Sequence, residues 1–448
     1  MTDQRLPAGT GLYTITAIAT LLLTAGSVYA QAQRPERPYR GLFAGGTGTS
    51  SQDLTVHGSL GASYDDNLLA AARGNNQAPR PNDLNTTHRG MVGSGSAGLT
   101  YALNRSRFSV NAIGQSSEHY YPSFGKGRDF IRRDSVSVGA DANLGRGFSA
   151  GASTGYQPYS LAALLPSVLT PRSGPTGIDD TFPSSDVHFI SYLANLAFAR
   201  QLSARTSFSL DTAYRAGHRS NQQGGYASQS GGASLSHHLT RDLSLDVGYH
   251  YTSALYRSSH QRPVNHAIDA GVNYSRSLSI SRRTQVSFGS GTSAARSASR
   301  GRTRFHLTGH ADLTHEIGRT WSTAAIYSRG VVFSEAWPEP LLSDGFTFTL
   351  GGLLTSRLHV DAAAGGSHGG RLAGGSSTNG TFGAYTANVS SSYAINRYVS
   401  GGVSLAYYHH QFGDVFELTP GFPNGVNRRS LGAHISLWAP VFGQTRRR

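Results

Sequence analysis

At 448 residues, with 55 Gly, no Cys and a formal net charge of +14, the chain has the length of two or three soluble domains, yet only 38% of its residues are hydrophobic and 14% are charged. Its 22 Tyr, 19 Phe and 3 Trp run along the whole sequence, which excludes the aromatic-poor composition of a disordered chain. Small polar residues alternating with aromatic and β-branched ones read as strands, and the lack of Cys suits a protein exported through an oxidising compartment without disulfide staples.

In chain order, residues 1–30 read as a signal peptide. Arg5 gives a basic start, Leu12 to Leu23 form an apolar stretch, and Ser27-Val28-Tyr29-Ala30 supplies small residues for cleavage after Ala30. The alternative is an uncleaved membrane anchor, for which the stretch is short, since a spanning helix needs ~20 apolar residues. Residues 31–52 read as a flexible periplasmic leader: Arg34-Pro35-Glu36-Arg37-Pro38 resists regular structure and Gly45 to Ser51 is rich in Gly, Thr and Ser. No Lys follows that Gly-rich piece, so it is not a phosphate-binding loop.

From Asp53 to Phe442 the sequence alternates with period two. Leu243, Leu245, Val247, Tyr249 and Tyr251 stand on one face of a strand, against Ser244, Asp246, Gly248 and His250 on the other. Phe208, Leu210, Thr212 and Tyr214 oppose Ser207, Ser209, Asp211 and Arg215 in the same way. Leu431, Ala433, Ile435, Leu437, Ala439 and Val441 alternate with Gly432, His434, Ser436 and Trp438. None of these has the i, i+3, i+4 spacing of a helix.

Short polar links recur at Asn104-Arg105, Gly145-Arg146, Ser203-Ala204-Arg205, Thr240-Arg241-Asp242, Ser281-Arg282-Arg283, Gly318-Arg319, Ser356-Arg357 and Asn396-Arg397. Most lie roughly forty residues apart, the spacing of a two-strand repeat, and longer irregular connections fall between them. The pattern predicts an all-β, transmembrane antiparallel up-and-down β-barrel of eighteen strands (sixteen is the alternative), with short periplasmic turns and long extracellular loops. A bilayer offers no water to unpaired backbone groups, so such a sheet must close on itself. Tyr64, Tyr101, Tyr156, Tyr251, Tyr274, Trp321, Tyr393, Tyr398 and Tyr407 then mark interfacial girdles or, for some of them, the pore wall. A soluble propeller or sandwich would need apolar stripes richer in Ile, Leu and Val.

The first strand ends in Tyr64-Asp65-Asp66-Asn67, and the last reads Ser430-Leu-Gly-Ala-His-Ile-Ser-Leu-Trp-Ala-Pro-Val-Phe442. In these two stretches and in its strand-and-turn rhythm the chain resembles the outer-membrane β-barrel porins associated with exopolysaccharide biosynthesis loci. The resemblance implies an outer-membrane conduit for a secreted polysaccharide, working with periplasmic export components. Such chains end near a terminal aromatic recognised by the barrel assembly machinery. Here Phe442 takes that part, but a basic tail, residues 443–448, follows it.

Asp65, Asp66 and Asn67 are candidates for the extracellular rim, as turn caps or as cation or sugar contacts. Asp211, Arg215, Asp246, His250, Asp269, Arg304, His306, His310, Asp312 and His434 fall on polar faces and are candidate pore-lining residues, either steering charged solutes or bridging one another. His306 and His310 have a helical metal-site spacing, but on a strand they lie ~13 Å apart, too far for one ion. No metal or other cofactor is expected. Gly93-Ser-Gly-Ser-Ala-Gly98 lies inside a strand and is not a dinucleotide fingerprint, and no nucleophile elbow or paired acids point to catalysis. Arg scattered at turns suits lipid and lipopolysaccharide headgroups better than nucleic acid, which is not an expected partner. Three functions follow: an exopolysaccharide export channel, a general diffusion porin with mild anion preference from the net positive charge, or a structural barrel whose loops do the work.

Overall fold

The computed structural model describes residues 50–66, 89–105, 108–122, 130–143, 147–160, 183–219, 225–240, 243–257, 259–274, 283–296, 303–333, 339–372, 381–413 and 425–445. The described residues form strands β1 (Ser50–Asp65), β2 (Gly90–Asn104), β3 (Phe108–Tyr120), β4 (Phe130–Asn143), β5 (Gly147–Ser160) and β6 (Pro183–Gln201). These are followed by β7 (Thr206–Arg219), β8 (Gly225–His238), β9 (Leu243–Tyr256), β10 (Val264–Tyr274), β11 (Thr284–Arg296) and β12 (Thr303–Ile317). The chain ends with β13 (Trp321–Val332), β14 (Leu341–Leu353), β15 (Leu358–Arg371), β16 (Thr381–Ala394), β17 (Val399–Phe412) and β18 (Gly425–Thr445).

Each strand pairs antiparallel with its sequence neighbours, and β1 pairs with both β2 and β18. Leu60 lies opposite Gly95 on one side and Ile435 on the other. The result is a closed up-and-down barrel of eighteen strands, with no sheet edge left to aggregate. The seam carries two register shifts, one between Ser50 and Gln52 and one where Thr55 pairs with Pro440 but Leu54 with Phe442, so the ladder steps past Val441. Proline has no N–H for the ladder and belongs at such irregularities.

The eight links between even-numbered strands and their successors gather at one end of the barrel, all but that between β10 and β11 being three or four residues long, and the nine other connections gather at the opposite end. Four links share one turn built from a Ser, Thr or Asn. Ser203 Oγ accepts from the Arg205 and Thr206 N–H groups at 3.2 and 3.1 Å. Thr355 Oγ1 accepts from Arg357 and Leu358 at 3.2 and 3.0 Å, and Asn396 Oδ1 from Tyr398 and Val399 at 2.8 and 3.0 Å. Thr240 Oγ1 accepts from Leu243 N–H at 3.1 Å. These are side-chain mimics of a backbone turn, and each is preceded by an exposed Leu202, Leu239, Leu354 or Ile395.

Residues paired across neighbouring strands share a face, so one alternation can be followed right round the sheet. Leu60, Leu99, Val136, Leu210, Leu235, Val247, Ile268, Phe288, Leu307, Phe348, Val389, Leu405 and Ile435 all stand exposed on one face. The other face is the inner one, as contacts across the concavity require. Phe333, just past β13, packs against Tyr226, Ala254 and Tyr256 of β8 and β9, with three strands of wall between them. Tyr64, Tyr101, Trp321 and Tyr393 stand on the outer face near strand ends, Tyr156, Tyr251 and Tyr407 stand on it further into their strands, and Tyr398 lies in a link with the Arg397 guanidinium 4.7 Å over its ring. The side chain of Tyr274 is outside the described residues.

Candidate functional site

The inner face is built of Ser, Thr, Asn and Gly, with charged residues at intervals. Ser59 and Ser96 share a hydrogen bond at 2.7 Å, and Ser209 and Ser234 one at 2.5 Å, so neighbouring hydroxyls satisfy each other along the wall. The larger polar side chains lie opposite glycines. Asp211 and His250 flank Gly232, Asp269 pairs with Gly291, Asp361 with Gly351, His310 with Gly289, His434 with Gly402, and His57 with Gly98. A Cβ at Gly98 would meet His57 Nε2 at 2.2 Å, and one at Gly232 would meet His250 Nδ1 at 2.4 Å and Asp211 Oδ1 at 2.6 Å. These side chains therefore lie over the facing glycines instead of projecting toward the axis. Asn111, Ile113 and Gln115 are solvent-exposed although they face inward.

Every pore-lining candidate has an inward register position, but they do not form one constellation. Asp211, His250, Asp269 and Thr308 make a track across β7 to β12: His250 Nε2 is 4.0 Å from Asp269 Oδ2, and Thr308 Oγ1 donates to Asp269 Oδ1 at 3.4 Å. Asp312 accepts from Ser287 Oγ at 3.2 Å, and Asp246 stands lower on β9 beside Gly271. Arg215 and His306 stand nearer the long-connection end, while His434 lies on the far wall over Gly402. Among the described residues no group of His, Asp and Glu is placed to hold a metal ion.

The long-connection end differs in character, because its inward-facing residues are packed. Tyr121, Leu341, Phe382 and His410 are buried, as is the ion pair of Asp65 with Arg428, which joins the end of β1 to the start of β18. Glu339 is buried against Arg371, whose Nη2 lies 2.8 Å from its Oε2. Arg304 Nη1 donates to the Leu372 carbonyl at 3.0 Å, reaching past β13 and β14. Of the rim candidates, Asp65 is thus turned inward and only 1% exposed. Asp66 accepts from Arg429 N–H at 2.7 Å on the same seam. Asn67 lies outside the described residues, as do the signal-peptide and leader segments up to residue 49 and the Phe442 side chain.

Arg428, Arg371, Tyr121, His57, Asp361 and His359, the last paired with Asp361 at 2.7 Å, belong to the wall or mouth and were not among the sequence candidates. The signal that would have found His57 and Asp361 is a glycine at the facing position of the next strand, which requires the register. The expected positive bias of the pore is not found on the described inner wall. Much of the Arg there is instead in links, as Arg105, Arg205, Arg283, Arg319, Arg357 and Arg397, or on the outer face, as Arg132, Arg200, Arg296, Arg329 and Arg429.

Fold and wall together define a closed β-barrel whose described residues are apolar outside and polar inside. No family model matches the chain, and no curated protein matches it in sequence. Among solved structures it aligns with Pseudomonas aeruginosa OccK11 (OpdR) at 10% identity and a TM-score of 0.42, over 90% of this chain and 99% of that one. The open form of the ferric-catecholate import receptor Fiu from Escherichia coli K12 gives 10% identity and a TM-score of 0.42, over 87% and 81% of the two chains. The apoprotein form of the FrpB iron transporter from Neisseria meningitidis gives 7% and 0.45, over 90% and 83%. The likeness is one of barrel architecture.

Proposed function

We propose that this chain is an outer-membrane channel for hydrophilic solutes. The observation that carries the reading is the inversion of its two faces. A closed sheet that exposes Leu60, Ile268, Phe305 and Leu307 around its outside, at up to 75% of their area, would aggregate in water but suits a hydrocarbon belt. A barrel of ~16–18 strands is wide enough for an aqueous lumen, and the side chains that lie over facing glycines leave room for one. Outer-leaflet lipopolysaccharide and the barrel assembly machinery are the partners this location brings, with the aromatic ends of the strands at the headgroups.

An inner wall of hydroxyls and amides offers many weak hydrogen bonds to polyhydroxylated cargo. Small solutes fit the wall as it stands, with the mouth packed by Tyr121, Leu341, Phe382 and His410. Export of an exopolysaccharide is the second reading, favoured by the same hydroxyl-lined wall, and it requires those mouth residues to part.

Conductance of the purified chain in planar bilayers tests the channel. Steady ionic current is expected, with an acidic oligosaccharide added from the short-link side separating the cargoes. Reversible block by the glycan supports export, current indifferent to it supports diffusion, and absence of current would end the channel reading.

A further inference from the structure

The charges on the inner wall are sorted along the barrel axis. Among the described inward-facing residues, the carboxylates at or below mid-strand toward the short-link end are Asp53, Asp211, Asp246, Asp269, Asp312, Glu316 and Asp361. They come from six strands (β1, β7, β9, β10, β12 and β15), so they form a spread ring and not one acidic cluster. The described inward-facing arginines are Arg133, Arg215, Arg304, Arg371 and Arg428, and every one lies in the half toward the long connections. At that mouth Arg428 is matched by Asp65 and Arg371 by Glu339. Arg283 stands opposite Glu316 at the short-link end, but none of these five arginines stands among Asp211, Asp246, Asp269 and Asp312. Asp269 and Asp361 keep 42% and 53% of their side-chain surface exposed, so the ring faces water in the lumen.

We infer that the lumen prefers cations over anions, and that the arc of Asp211, Asp246, Asp269 and Asp312 on β7 to β12 sets the preference. This rests on the channel reading and names the charge class of its cargo. A carboxylate on a low-dielectric wall attracts passing cations and repels anions along a confined path, where field lines are focused. The positive charge of the whole chain is no guide here, because charges on the outer face are separated from the lumen by the wall, and those in the links stand at its end, where salt screens them beyond a Debye length of ~10 Å at 0.1 M.

The test is the reversal potential of the full chain in planar bilayers under a KCl gradient at low ionic strength. The expected result is a permeability several-fold higher for K⁺ than for Cl⁻, falling toward parity in the combined variant D211N/D246N/D269N/D312N. Asparagine keeps the shape of each aspartate, and heat-dependent mobility on SDS gels establishes that the variant is folded. R215Q, which removes the arginine nearest the ring, should raise the preference. Current with no cation preference overturns the inference and leaves the channel intact. Full preference retained by the folded quadruple variant overturns the assignment to these residues. No current from wild-type protein overturns the channel reading, and the inference with it.

Discussion

The buried pair of Asp65 and Arg428 shows how one contact holds the seam. Both side chains are withdrawn from solvent where the first strand meets the last, so removing one partner strands a charge in a dry setting. Arg428→Met should destabilise the barrel by about 3–5 kcal/mol, because an unpaired buried carboxylate costs far more than a lost surface pair. Urea titration in detergent checks this, and adding Asp65→Asn to the same chain should recover a large part of the loss. A result of that kind would mark Asp65 as a structural acid and not a ligand-binding one at the rim. Gly98 tests the flat wall: in Gly98→Val the new side chain occupies the place of His57, whose ring must swing toward the axis. Single-channel conductance should fall while the folded fraction stays near wild type.

At the level of elements, the four Ser/Thr/Asn links behave as one repeated part. Asn396 holds two N–H groups of its link, and Asn396→Ala should cost about 1 kcal/mol, the net worth of such hydrogen bonds, measured as a lowered urea midpoint. Thr355→Ala should match it, since its hydroxyl does the same at the preceding even-numbered strand. These links were visible in the sequence because turn chemistry is local: Thr355-Ser-Arg and Asn396-Arg announce themselves without knowledge of the fold. The strands were visible for the same reason, since alternation in Leu243 to Tyr251 needs no partner to be read. Register is not local. That Asp211 and His250 share the glycine between them, or that Asp65 meets Arg428 after 363 residues, follows from pairings made across the barrel. Net charge misled for a related reason, as a sum over the chain carries no information on which side of the wall each charge stands.

For the whole molecule, the decisive property is that two faces of one sheet meet two solvents. The chain contains no cysteine, so single substitutions report cleanly on each face. Ser234 and Leu235 are neighbours on β8, one paired to Ser209 across the lumen wall and the other exposed on the outside. In protein reconstituted into vesicles, Ser234→Cys should react with a small water-soluble thiol reagent within minutes, whereas Leu235→Cys should react only with a lipid-soluble one. The same contrast is expected between Ser96→Cys and Leu99→Cys on β2, on the other side of the barrel. A water-soluble reagent that modified both faces alike would place the outer wall in water and remove the hydrocarbon belt. Ser343→Cys extends the test to the mouth. Its side chain is 2% exposed beneath the packed long-connection end, so it should label far more slowly than Ser234→Cys at rest. An acceleration when Phe382, 2% exposed and inward-facing, is cut back to Ala would identify the packed aromatics as what narrows the path. Equal slow labelling in the Phe382→Ala chain would instead assign the narrowing to the β13 to β14 side, where Phe333 rests on Tyr226 and Tyr256.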